Sequence, residues 1–139
     1  DPSLVLEELC WLLRCAAHTL ADAGEGETPM VPIQLVEMVE KQGEGQPCPI
    51  HDLSTALITV TSTCLDPAAR AVLSPRVLEI AIACAARWCK TYLMPEEKVP
   101  ASLAVRYSVA GSGMQILDTL VKVSRELLSS WPGEAELHL

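Results

Sequence analysis

The chain has 139 residues, half of them hydrophobic, and a formal net charge of −8, which is enough chain for one core and one folding unit. The charge is lopsided: residues 1 to 60 hold ten acids against Arg14 and Lys41, while residues 61 to 139 hold eight of each sign. Such a field disfavours direct contact with nucleic acid or an anionic membrane, and suits either a basic partner or a solvated acidic surface.

No run reaches the roughly 18 uncharged apolar residues that a membrane span needs, and no basic-then-apolar leader opens the chain, so it reads as soluble and intracellular. It begins without Met and ends in Glu-Leu-His-Leu, and the expectation is a piece of something longer. Cys10 and Cys15, like Cys84 and Cys89, are five apart. Five residues turn about 140° around a helix, so neither pair converges on one metal ion, and no C-x-x-C is present. Six reduced, packing cysteines are expected, with no disulfide and no metal.

In chain order, Asp1 and Pro2 form an N-cap and first-turn pair, and Leu6, Leu9, Leu13, Ala16 and Leu20 keep a helical rhythm to about Asp22. The opposite stripe is Glu7, Trp11, Arg14 and His18. Trp11 is expected either to pack on a preceding element or to meet a partner. His18 belongs at the surface of the last turn, where a cation suits the helix dipole. Gly24, Gly26, Pro29 and Pro32 then break the chain, and Ile33, Val36 and Val39 mark a short helix closed by Gly43. From Ile50 to Cys64, Ile58-Thr59-Val60-Thr61 alternates like a strand, whereas Leu53, Leu57, Val60 and Cys64 recur like a helix. Helix is preferred, because a solitary strand would leave its backbone groups unpaired.

The plainest helix runs from about Pro75 to Leu93, with Ser74 as N-cap, Pro75 at the first position and Pro95 as terminator. Val77, Leu78, Ala81, Cys84, Ala85, Trp88 and Tyr92 make its apolar stripe, and Arg76, Glu79, Ala83, Arg87 and Lys90 a narrow opposite one. A helix that shows water so thin a strip has neighbours on more than one side. A short helix from Ala101 to Val109 follows. Ser112-Gly113-Met114-Gln115 then reads as a capping box opening a helix to about Trp131, ended by Pro132. Leu117, Leu120, Val121, Leu128 and Trp131 are its expected inner stripe, and Gln115, Thr119, Lys122, Glu126 and Ser129 its outer one.

The reading is one all-α module over residues 1–139, two antiparallel helix pairs with an insertion from Ala23 to Pro49, as in a HEAT-type solenoid or a small bundle. Chemistry is harder to find. His51, Asp52 and Ser54 are triad residue types, but neighbours on one helix point apart, and a helix start with an acid in its first turn explains them. Glu96 and Glu97 fit a solvated loop. No catalytic, metal or cofactor residues are expected. The candidate partner surface is the acidic insertion, with Glu37, Glu40 and Glu44, together with Trp11.

Two segments carry a resemblance: Trp11 to Pro32, with its LADAGEGETP run, and Leu73 to Lys98, with Arg87-Trp88-Cys89-Lys90-Thr91-Tyr92-Leu93. They resemble nuclear transport receptors of the importin-β (karyopherin-β) superfamily, of the exportin type, and Leu127-Leu128-Ser129-Ser130-Trp131 fits as well. The resemblance implies a right-handed superhelix of HEAT repeats, in which the helices from Leu4 and Pro75 are A helices and those from Ile50 and Gly113 are B helices. It also implies a receptor that shuttles between nucleus and cytoplasm, binding the GTPase Ran in its GTP form, protein cargo and nucleoporins. One cargo known for such receptors is a translation factor of the 5A class. A scaffold or adaptor solenoid without a transport role is the other reading of the same pattern.

Overall fold

The computed structural model describes residues 1–42, 46–95, 99–108 and 110–130, and the described residues form helices joined by turns. The helices are α1 (Pro2–Leu20), α2 (Ile33–Lys41), α3 (Pro49–Ser62), α4 (Pro67–Val72), α5 (Pro75–Tyr92), α6 (Ala101–Arg106) and α7 (Gly113–Ser130). Four of them open on proline, which suits a first turn whose N–H would go unpaired anyway. Three of those starts carry a side-chain cap. Asp1 accepts from the Ser3 N–H at 3.1 Å, Asp66 from Ala68 at 2.9 Å and Ser74 from Val77 at 3.4 Å.

The strand-like alternation in α3 yields to helix as expected, but the helix stops early. Thr61, Ser62 and Thr63 donate their hydroxyls back to the carbonyls of Leu57, Thr59 and Val60, at 2.9, 2.8 and 2.6 Å. Back-bonding of this kind competes with the helical ladder. The chain tightens into a 3₁₀ turn over Thr63–Leu65 and then forms α4, which sequence periodicity had not marked.

The directions of the long helices follow from their contacts. The Tyr92 hydroxyl, in the last turn of α5, donates to the Leu20 carbonyl at the end of α1, while Ser74 and Val77 at the start of α5 face Ser3 and Leu6 at the start of α1. So α1 and α5 run parallel, and they form the most extensive helix pairing among the described residues. Against them α3 runs antiparallel: Ser54 near its start bonds Trp88, and Cys64 just past its end clusters with Leu78. α7 runs the same way as α3, its Ile116 and Leu120 packing on the core that holds Tyr107 and its Val123 and Leu127 meeting Leu78 and Cys64. The main core is made by α1, α3, α5 and Tyr107, and the Cys64 cluster is a smaller one beneath α7.

The facing of α5 matches expectation. Trp88 is wholly buried, and Val77, Leu78, Ala81, Cys84, Ala85 and Tyr92 are buried with it. That of α7 needs correction. Gly113, Val123 and Leu127 face the core with half-buried Ile116 and Leu120, whereas Leu117, Val121 and Leu128 are about half exposed. The helix carries two apolar stripes, separated by roughly 110° at about 100° per residue. The inner one is selected partly by Glu126, expected on the outer face, which pairs with Arg70 of α4. Trp131 lies outside the described residues.

The capping box is corrected as well. The Ser112 hydroxyl donates to the Arg106 carbonyl at 3.0 Å, and the Ser112 N–H reaches the same oxygen at 2.8 Å. α6 ends at Arg106, short of the expected Val109, and its carbonyls need partners that Ser112 supplies. Gly113 makes the turn possible, because a Cβ there would stand 2.1 Å from the Tyr107 carbonyl oxygen.

Candidate functional site

The two runs that stand out in the sequence are each other's partners. The Arg87 guanidinium, expected on the watery strip of α5, is half-buried and donates twice to the Ala21 carbonyl, at 2.8 and 2.6 Å. Thr91 donates to the Pro29 carbonyl at 3.3 Å, and Tyr92 to Leu20 at 2.6 Å. Between those carbonyls the chain doubles back: Asp22 and Met30 exchange both backbone hydrogen bonds, at 2.7 and 2.8 Å, and Gly26 turns at φ +77°. The Gly24 N–H donates to the Glu27 carboxylate at 3.0 Å. Thus the first third of the expected acidic loop is a pinned hairpin, and the C-terminal half of α5 is what pins it.

The rest of the insertion carries the predicted surface. α2 buries Val39 and half-buries Leu35, Val36 and Met38, leaving Ile33, Gln34, Glu37, Glu40 and Lys41 exposed. Glu37 and Glu40 therefore sit where a partner could reach them, with Lys41 alone for relief; among the described residues no ion pair involves them. Glu44 lies outside the described residues. Trp11 is 58% exposed on α1 and does not join this group, for the cleft it lines is built from α1 and the start of α5. The Arg14 guanidinium lies 5.3 Å from its ring centroid, a cation–π arrangement.

That cleft encloses about 460 Å³ between Ser3, Leu6, Glu7, Cys10, Trp11 and Arg14 on one wall and Ser74, Arg76 and Val77 on the other. Sequence reasoning singled out Trp11 and put Arg14 on the same stripe of α1, but could not place Arg76 beside them, since the two arginines stand 62 positions apart in the chain. Only the parallel packing of α1 and α5 joins the two walls.

His51, Asp52 and Ser54 diverge as expected. Asp52 is exposed, while Ser54 is buried and accepts the Trp88 indole N–H at 2.8 Å. His51 Nδ1 lies 3.3 Å from the Tyr107 hydroxyl, and burial, helped by the Arg106 charge, lowers its basicity. Tyr107 stands edge-on to both Trp88 and Tyr92, at centroid separations of 5.1 and 5.7 Å, and burial raises its phenol and that of Tyr92. These side chains tie α3, α5 and the end of α6 together rather than flank a substrate. Glu96 and Glu97 lie outside the described residues.

The cysteines are all free thiols: Cys10, Cys64 and Cys84 are buried, Cys48 and Cys89 half-buried and Cys15 exposed. Burial pushes the Cys89 thiol up to about 11 and raises Cys64 and Cys84. Among the described residues, no group of three or more His, Cys, Asp or Glu converges as a metal site would.

Both ends of the helix stack carry apolar faces without a neighbour among the described residues. On α1 they are Leu4, Val5, Trp11 and Leu12, and on α7 they are Met114, Leu117, Val121 and Leu128. Sequence reasoning missed Leu4, Val5 and Leu12, because an amphipathic pattern marks the stripe that packs and not a second one beside it. No helix among the described residues is long and apolar enough to cross a membrane. No family model matches the chain, and no solved structure matches it.

Proposed function

We propose that the chain is a segment of a HEAT-repeat nuclear transport receptor similar to exportin-4, supplying two stacked helix pairs and no catalysis. The observation that carries the architecture is the close parallel packing of α1 and α5, with α3 and α7 both running the opposite way. In a four-helix up-and-down bundle the first and third long helices lie diagonally, whereas in a solenoid equivalent helices of successive repeats lie side by side. α1 and α5 then take the part of A helices, and α3 and α7 that of B helices. The open apolar positions Leu4, Val5 and Leu12 of α1, beside the Trp11 cleft, and the open face of α7 suit the packing of further repeats on each side.

The transport role rests on the sequence resemblance. The mutual bonding of the LADAGEGETP and RWCKTYL segments lends it weight, since the two runs that carry the likeness make up one structural unit. In this reading the full receptor binds Ran in its GTP form, protein cargo such as a 5A-class translation factor, and nucleoporins, moving between nucleus and cytoplasm. The exposed acids of α2 would steer a basic partner.

The test is capture of GTP-locked Ran by the full-length parent protein, with GDP-loaded Ran as control. Binding that requires GTP, and that cargo strengthens, is the expected result. Binding that ignores the nucleotide, or no binding, would replace this reading with the scaffold or adaptor one.

A further inference from the structure

We propose that the cleft between α1 and the start of α5 docks an acidic protein segment, presenting a carboxylate to Arg14 and Arg76 and an aliphatic side chain to Trp11, Leu6 and Val77. The proposal uses only the local geometry of α1 and α5 and does not depend on the transport reading.

Charge complementarity selects the occupant. In the first 60 residues the bases are Arg14 and Lys41 alone, and Arg14 stands at this cleft with Arg76 brought in from α5. Neither arginine is in an ion pair among the described residues. The first turn of α5 adds the positive end of an 18-residue helix, its Val77 N–H taken up by the Ser74 hydroxyl. Against these stands, among the described residues that line the cleft, one carboxylate, Glu7. The cleft is thus a positive spot on a chain whose net charge is −8. Arg14 is half-buried and held over the Trp11 face, so one of the two charges is already positioned before a ligand arrives.

The lining also argues against a polyanion. Leu6, Cys10, Trp11 and Val77 supply apolar wall between the polar groups, which fits a side chain bearing both a stem and a carboxylate. A run of phosphates would extend beyond the cleft into the acidic field of the chain. A segment with one or two acids stays within the roughly 8 Å over which the two arginines dominate at physiological salt.

The experiment is fluorescence anisotropy of the 139-residue chain with two labelled peptides, one alternating Glu and Leu and the other with every Glu replaced by Lys. The acidic peptide should bind, more tightly at low salt, and shift the Trp11 indole N–H resonance. Arg76→Glu, at an exposed position, should weaken it at least about tenfold and leave the melting curve unchanged. Glu7→Gln should tighten binding. Arg14→Met tests the second charge, and because Arg76→Glu does not touch the packed part of α1, a folding defect in Arg14→Met leaves the test intact. Equal binding of the two peptides, no binding of the acidic one at millimolar concentration, or indifference to Arg76→Glu and Glu7→Gln would overturn the proposal. A single-stranded oligonucleotide binding as well as the acidic peptide would overturn it in favour of a general anion site. Self-association abolished by Arg76→Glu would replace the acidic segment with a second copy of the chain.

Discussion

Trp88→Ala removes the side chain on which α3, α5 and Tyr107 converge. The indole is fully buried, stacks on Tyr92 at 5.5 Å with the rings 15° apart, meets Tyr107 edge-on at 5.1 Å and donates to Ser54 at 2.8 Å. Truncating a buried tryptophan costs about 3 to 5 kcal/mol through lost transfer energy and the cavity left behind. The Ser54 hydroxyl loses its donor while staying buried, which places the cost toward the upper end of that range. Against a total stability of about 5 to 15 kcal/mol this leaves a marginal protein, with Tm lower by roughly 10 to 15 °C for a chain of this size. Trp88→Phe separates the contributions: it keeps an aromatic ring between Tyr92 and Tyr107 but drops the indole donor, and should cost about 1 to 3 kcal/mol. Urea denaturation followed by circular dichroism measures both variants. Trp88→Ala melting within a degree or two of the parent would refute the central placement, and equal losses in the two variants would refute the division between packing and hydrogen bonding.

Tyr92→Phe should cost about 1 kcal/mol by removing the donor to the Leu20 carbonyl, and amide exchange should quicken in the Asp22–Met30 hairpin; unchanged exchange there would mean that α5 does not pin it. Stability should fall on the alkaline side, because burial raises Cys89 to about 11 and raises Tyr92 and Tyr107, so the unfolded chain loses those protons first; the loss begins near the ordinary thiol range and grows as pH climbs, and Cys89→Ala should delay it. On the acid side His51 has the opposite sign: its lowered pKa means the unfolded chain binds the proton first, so stability present above about pH 6.5 is lost as pH falls, and His51→Gln should flatten that part of the stability–pH curve. Reversing Glu37 and Glu40 to Lys should, on the proposed reading, slow association of the full-length parent protein with a basic protein partner, most at low salt, with Tm nearly unchanged because both side chains are exposed; equal rates would show that the acidic face steers nothing.

The helices whose boundaries were legible in the sequence begin and end with chemistry confined to a few residues. Asp1-Pro2, Ser74-Pro75 and the breakers around Gly24 and Pro32 act within one turn of chain, so their consequences need no knowledge of distant residues. The burial of Trp88 was legible for a related reason: with apolar residues around most of α5, almost any orientation buries that face. Where two faces compete, the sequence alone is silent. In α7 the stripe of Leu117, Val121 and Leu128 and that of Ile116, Leu120, Val123 and Leu127 are both apolar, and the choice belongs to Arg70 and the Cys64 cluster, which only the fold brings beneath the helix. Ser112 likewise turned from its own helix to the Arg106 carbonyl, because an unpaired helix end lay closer than local pattern could foresee. The hairpin joined to Arg87, Thr91 and Tyr92, and the cleft that sets Arg14 beside Arg76, depend on α1 and α5 lying parallel with residues 21–74 of the chain between them. Local propensity specifies the helices, but which of their faces meet is settled by long-range packing, whose partners share no window of sequence.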